Sequence, residues 1–428
     1  ISRAEIAAGA TVSRHQNPYN DVYTLEFVWG VGQYDLRPLS LLDDYLADVG
    51  TTAMPAAKFK HKLFALATTL SFETREEAFV VRLSGPEEHL EAALALVDSL
   101  MRAPESSRRA MRAIRQERRG YGFVNRRQSS VVVDALREYV TFGEKSRYVR
   151  EYSPTHMMRL SPKLLVDAWH EAQTYAVEVR YTGQRGAQEV ASMVRDKVGF
   201  QANLKPATEP VVRPRQHPQR DTVYFVRHPR SIQSQVLVVV GGDPVSPQLR
   251  PAGHAFNEYF GGSMAGLVFQ EVRELRSLAY STRAQFLEHP VKGHAGMMYL
   301  HVGTQADKTF EALDVVLELL GAMPRKPERM PGIRSALIES QLAATVGFRG
   351  VLQAEQSWRW LGYREDPRRQ WLEAYDKLTF ADIESFVAQQ IEGRPRSILV
   401  VGDPKRVSRR ELRRYGEVVT VARHKLGL

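Results

Sequence analysis

Between Tyr23 and Pro38 the chain reads "YTLEFVWGVGQYDLRP", where apolar and polar residues alternate until glycines interrupt them, and this predicts a half-buried strand followed by a turn. The next stretch, "LSLLDDYLADVGTT" (39–52), changes period. At about 100° per residue, Leu41, Leu42, Tyr45, Leu46 and Val49 fall on one arc, with Asp43 and Ala47 opposite and Asp44 and Asp48 on the flank. A helix is expected from Arg37 to Gly50, with positions 41, 44 and 45 converging on one face and the three aspartates on its solvated side.

The same order of periods recurs later. "SQVLVVVGGDPVSPQLRP" leads into "AGHAFNEYFGGS" as the first strand leads into the first helix, and the Arg-Pro pairs at Arg37 and Arg250 are 250 − 37 = 213 residues apart. "LSPKLLVDAWHEAQTYAVEVRYTG" from Leu160 corresponds to "LTFADIESFVAQQIEGRPRSILVVGD" from Leu378, an offset of 378 − 160 = 218; each reads as a capped helix followed by a strand ending at glycine. Each half also holds a further strand-rich segment followed by a helix. A fixed offset of this length marks a duplicated unit. Strands mixed with long helical segments, without strict alternation, predict an α+β fold: two tandem homologous sandwich domains, each a mostly antiparallel sheet covered by helices. The proline-rich stretch "QANLKPATEPVVRPRQHPQRD" places the linker at about residues 205–220, giving domains at 1–208 and 219–428.

Composition narrows the chemistry. The 428 residues contain no cysteine, which excludes disulfides, thiolate nucleophiles and Cys-ligated zinc but leaves the compartment open. No apolar run approaches the roughly 20 residues of a membrane span. The net charge of +10 is spread along the chain among Glu and Asp, even in "SSRRAMRAIRQERRGYGFVNRR", so solvated helix faces are expected and no nucleic-acid partner. The glycine-rich "YFGGSMAG" precedes a helix but lacks the Walker lysine and the G-x-G-x-x-G spacing, so it reads as a hinge rather than a phosphate loop. His289, His294 and His301 are the nearest approach to a histidine group, without a carboxylate between the last two, and no metal is assigned to them.

The "LLDDY" at 41–45, the following Gly50-Thr51 and the internal repeat together resemble the M16 family of zinc metallopeptidases, which includes the pitrilysins and mitochondrial processing peptidases. The resemblance extends over essentially the whole chain. It implies two similar α+β domains, with an inverted His-x-x-Glu-His zinc motif on the first helix. Here Leu41, Asp44 and Tyr45 occupy the motif positions; leucine has no lone pair and neutral tyrosine is a poor zinc donor, so no metal is expected in this chain. The family's downstream glutamate would fall near Glu117, with a spacing that fits poorly.

In "MAGLVFQEVRELRSLAYS", an amphipathic helix with Leu267, Val268, Val272 and Leu275 inward is expected to close at Arg276, with Tyr280 opening the next strand. Read as ordinary structure, Arg276 complements the helix C-terminus and Tyr280 packs as a sheet aromatic. The resemblance implies a further role, because active family members carry an Arg-x-x-x-Tyr pair of this spacing that donates hydrogen bonds to the carbonyl of a bound peptide. Arg276 and Tyr280 are therefore the expected substrate-binding residues. The phrases "NPYNDVYTLEFVWGVGQYD" and "YLADVGT" resemble the C-terminal halves of fused bacterial M16 proteins, and the absence of an initiator Met is read as a processed, trimmed or partial chain. The expected function is that of a zinc-less half or subunit, inactive alone, with the zinc held by its partner. A structural protein like the core subunits of the respiratory bc1 complex is the rival reading.

Overall fold

Strands form where β-branched and aromatic residues alternate or run continuously, and helices form where the apolar period lengthens to three and four. A computed structural model describes residues 1–125, 127–201, 203–262 and 264–428, so Arg126 of the basic stretch, Ala202 of the linker and Ser263 of the glycine-rich hinge lie outside the described residues. The first sheet comprises β1 (Ser2–Ala7), β2 (Ala10–Gln16), β3 (Val22–Trp29), β4 (Thr69–Thr74), β5 (Phe79–Pro86) and β6 (Val177–Gly183), in the order β1-β2-β6-β3-β5-β4. The second comprises β7 (Thr222–Arg227), β8 (Gln233–Pro244), β9 (Ala279–Leu287), β10 (Ala295–Gln305), β11 (Arg396–Gly402) and β12 (Glu417–Thr420), in the order β12-β7-β11-β8-β10-β9.

From the second position to the last, the two orders are one topology: β2, β6, β3, β5 and β4 correspond to β7, β11, β8, β10 and β9. In each sheet the pairs from β6 or β11 to the far edge are antiparallel, and β2 or β7 joins its neighbour in parallel. Only the outermost strand differs, since β1 pairs antiparallel with β2 while β12 runs parallel to β7. The α+β class read from the period changes is the observed fold, two mixed six-stranded sheets covered by helices.

The chain forms two compact units, and each gathers more than one stretch of sequence. The first takes residues 1–121, 152–211 and 346–356; the second takes 122–151, 212–345 and 357–428. In the first unit, Tyr23, Leu25, Phe27 and Trp29 of β3 face a core built with Leu42, Tyr45, Leu46 and Trp169. The opposite face of that strand carries Thr24, whose hydroxyl accepts a hydrogen bond from Arg349 of the 346–356 stretch at 3.1 Å.

In the second unit, Val236, Val238 and Val240 of β8 face one apolar core, while Leu237 and Val239 face another that includes Val132, Val133 and Leu136 of the helix Ser129–Phe142. β8 is thus covered on both faces, which is why it reads as a nearly unbroken valine run rather than an alternation. Among the described residues no helix is long and apolar enough to cross a membrane.

Candidate functional site

The helix that carries the motif positions is shorter than its period suggests. A 3₁₀ turn covers Arg37–Leu41, the α-helix covers Leu42–Asp48, and the chain turns extended at Val49. Gly50 permits the turn that follows, since a Cβ there would lie 2.2 Å from the Met54 carbonyl oxygen. Leu41 and Tyr45 are buried, at 3% and 0% exposure. The Tyr45 hydroxyl donates to the Glu105 carbonyl at 2.7 Å and accepts from the Ser107 N–H at 2.7 Å, so it braces the chain leading into the next long helix. Burial raises its pKa, moving it further from a phenolate ligand.

The aspartates divide. Asp48 is exposed and meets Lys60 at 3.4 Å, and Asp44 meets Arg118 at 3.2 Å. Asp43, expected opposite the core, is instead half-buried; its carboxylate accepts the Asp44 N–H at 2.9 Å, and burial raises its pKa. Leu41 belongs to the tighter preceding turn, and both it and Tyr45 point into the core, as their place on the apolar arc implies, while Asp44 stays on the half-buried flank. Glu117 is exposed on the helix Arg108–Asn125. Of the three histidines, His289 and His294 have ring centroids 5.0 Å apart, whereas His301 hydrogen-bonds the Gln235 side-chain oxygen at 2.7 Å. Among the described residues no three His, Asp or Glu side chains are grouped to hold a metal ion.

Arg276 and Tyr280 lie on either side of the turn into β9. Leu267, Val268 and Val272 point inward as expected, but Leu275 does not: it is 69% exposed. The helix widens to a π turn over Phe269–Glu274, and the Leu275 N–H reaches back five residues to the Gln270 carbonyl. The additional residue in the turn rotates Leu275 off the apolar arc. The helix then closes with Leu278 N–H on the Val272 carbonyl and Ser277 N–H on the Arg273 carbonyl, each span one residue wider than in a Schellman closure, and Ser277 itself is left-handed at φ +50°.

Arg276, in this closing turn, donates to the Glu271 carbonyl at 2.8 Å and to the Glu271 carboxylate at 2.7 Å. Lys326 approaches the other oxygen of that carboxylate at 3.3 Å, and the two cations hold its pKa below the usual range, with the Arg276 hydrogen bond the larger influence. Tyr280 is 61% exposed, and its hydroxyl accepts from Gln305 at 3.2 Å across a shallow hollow lined also by Arg273, Ser277 and Ala279.

A second set of polar residues escapes motif reading. Adding the 213-residue offset carries Leu41, Asp44 and Tyr45 onto His254, Asn257 and Glu258, at the corresponding helix Arg250–Asn257 and the wide turn Glu258–Gly262 that continues it. Arg250 is buried and bridges Glu288 through two bonds of 2.7 and 2.5 Å. His254 Nδ1 lies 2.6 Å from the buried Tyr375 hydroxyl. Burial, with Arg250 nearby, lowers the His254 pKa to about 4, so the imidazole is neutral at pH 7 and Tyr375, whose own pKa burial raises, donates to it. The signal was in the sequence as "HAFNE" at the repeat offset of "LLDDY".

With this geometry in hand, residues 182–328 match the family described as the peptidase M16 inactive domain. A structure of a peptidase M16 inactive domain from Pseudomonas fluorescens aligns over 94% of this chain and 98% of its own, with a TM-score of 0.73 and 16% identity. The periplasmic protease PqqL from Escherichia coli aligns over 92% of this chain but 44% of its own, with a TM-score of 0.71 and 12% identity. The ferredoxin protease FusC, solved in complex with Arabidopsis ferredoxin, gives 92%, 44%, 0.70 and 13% for the same quantities. At these identities the structural likeness speaks to the fold. No curated protein sequence matches the chain.

Proposed function

We propose that this chain, a member of the M16 peptidase family through its inactive-type domain, is the zinc-less half or subunit of a two-part metallopeptidase, closing a peptide-binding chamber with a zinc-bearing partner. Leu41 and Tyr45 stand at the motif positions and are committed to the core, so in this reading the partner supplies the metal and its activated water. PqqL and FusC are proteases of which this chain spans less than half, in keeping with a chain that works beside a second, similar half.

The observation that carries the reading is the exposure of Tyr280. A tyrosine 61% exposed in β9 contributes little packing there, and it shares a turn with Arg276. A phenol and a guanidinium both donate to an oxygen that gains negative charge as water attacks a peptide carbonyl. One observation favours the scaffold alternative: Arg276 donates to both the carbonyl and the carboxylate of Glu271 on its own helix, so the guanidinium already has a structural use.

Reconstitution with the zinc-bearing partner separates the two. Tyr280→Phe keeps the ring and deletes the donor, and kcat for peptide cleavage is expected to fall about 10²-fold with the assembly intact. Arg276→Ala is expected to act alike, after a thermal melt has accounted for the lost Glu271 contacts. Unchanged kcat/KM in both variants favours the scaffold.

A further inference from the structure

The second sheet treats the charges at its two ends differently. β7, β11 and β12 run parallel, with Gly402 opposite Arg227 and Thr420 opposite Phe225, so the loops that leave all three strands emerge at one end. At the other end, where the three strands begin, the arginines have carboxylates: Arg220 meets Glu417 at 2.6 Å, Arg396 meets Asp221 at 2.7 Å, and Arg394 pairs with Asp243. The loop end has no such balance. Arg227 and Arg230 leave β7, Lys405 and Arg406 follow β11, and Lys425 follows β12, all of them exposed. Among the described residues, none of these five side chains makes a hydrogen bond or an ion pair.

Backbone contacts hold the loops together. The His228 N–H donates to the Gly402 carbonyl at 2.8 Å, and the Val421 N–H donates to the Phe225 carbonyl at 2.9 Å. Arg423, beyond β12, is close enough to His228 that its charge adds to burial in lowering the imidazole pKa. The single carboxylate side chain in residues 227–233, 403–408 and 421–428 is Asp403. It is buried and committed to its own turn, where it accepts the Lys405 N–H at 3.1 Å. The cations therefore sum to a positive potential with no internal counter-charge, which attracts a multiply charged anion.

Neighbouring strands lie about 4.8 Å apart, so the three loops are rooted within about 10 Å, the length of three extended residues. A short acidic run can reach all of them. The loops hold no Phe, Tyr or Trp, so they offer neither a stacking surface for unpaired bases nor an aromatic anchor at a lipid interface. Ile232, 75% exposed two residues after Arg230, adds an apolar contact that a polypeptide can use. We infer that this end of the second sheet is a docking surface for an acidic polypeptide segment, a run of three or more carboxylates laid across the three loops. The inference needs neither Arg276 nor Tyr280, so it can fail or stand apart from the peptidase reading.

The test is calorimetric titration of the purified chain with hexaglutamate at about 50 mM salt, where charges are weakly screened. Arg230→Glu, Arg406→Glu and Lys425→Glu, made together, reverse one charge in each loop, and affinity is expected to fall about tenfold or more. Lys58→Glu, Lys62→Glu and Arg109→Glu, made together, change the net charge equally on exposed residues of the first unit, and affinity is expected to fall less than about threefold. All six side chains are exposed and unbonded among the described residues, so both variants are expected to melt as wild type does. Equal losses in the two variants overturn the assignment, since net charge alone would then account for binding. So does the absence of hexaglutamate binding to wild type up to about 1 mM. Tighter binding of a DNA duplex or of phosphatidylglycerol vesicles, abolished by the loop variant, would assign the loops to phosphates and overturn it as well.

Discussion

The helices Leu42–Asp48 and Arg250–Asn257 occupy the same place in two sheets of one topology, yet they use their corresponding positions in opposite ways. In the first unit, positions 41 and 45 are a leucine and a tyrosine that vanish into the core. In the second, positions 254 and 258 are a histidine and a glutamate that line a solvent-connected hollow. The fold dictates where a helix stands against its sheet; side-chain chemistry decides whether its inner end becomes packing or a polar site.

The contrast is open to breakage. Tyr45→Ala should have the largest effect, because it leaves a cavity and strips hydrogen-bond partners from Glu105 and Ser107; a loss of about 3–5 kcal/mol is expected in denaturant unfolding. A loss under about 1 kcal/mol would mean that Tyr45 is no brace and that the two helices differ less than stated.

The second prediction concerns His254. Its folded pKa, about 4, lies below the ordinary 6.5, so between these values the unfolded chain binds the proton and the folded one does not. Its contribution to stability is therefore fully present above about pH 6.5 and is lost as pH falls toward 4, amounting to about 3 kcal/mol. Melting curves from pH 7 to 4 should show a smaller acid loss in His254→Gln than in wild type. Equal slopes would show that the imidazole is not held neutral.

The smallest expected effect compares helix ends. The first unit turns out of its helix through Gly50, whereas the helix bearing Arg276 closes on Ser277 at φ +50°, a conformation glycine adopts without strain. Ser277→Gly should stabilise the chain by about 0.5–1 kcal/mol, seen as a raised Tm. A lowered Tm would place the Ser277 side chain in a stabilising contact.

Much of the fold was legible in the periods. Alternation in β3, the valine run of β8 and the 3.6-residue arcs announced strands and helices in the right order, and the offsets of 213 and 218 announced the repeat. That Leu41 cannot ligate zinc and that a neutral Tyr45 is a poor donor follow from the atoms those residues own. The exposure of Leu275 was not legible, because one extra residue in a π turn shifts the phase without a local sequence signature. Nor was the half-burial of Asp43, which depends on what packs against the helix rather than on the helix itself.

By itself the sequence determined the α+β class, the duplication and which positions could not ligate zinc, since these rest on local period and on the donor atoms each residue owns. Only the tertiary structure decided which stretches share a unit, as with 122–151 and 346–356, and which polar groups converge. His254, Glu258, Arg283 and Trp371 are scattered over more than a hundred residues. What brings them to one hollow is the pairing of β9 at the sheet edge and the packing of helices beside it, long-range contacts that no local pattern encodes.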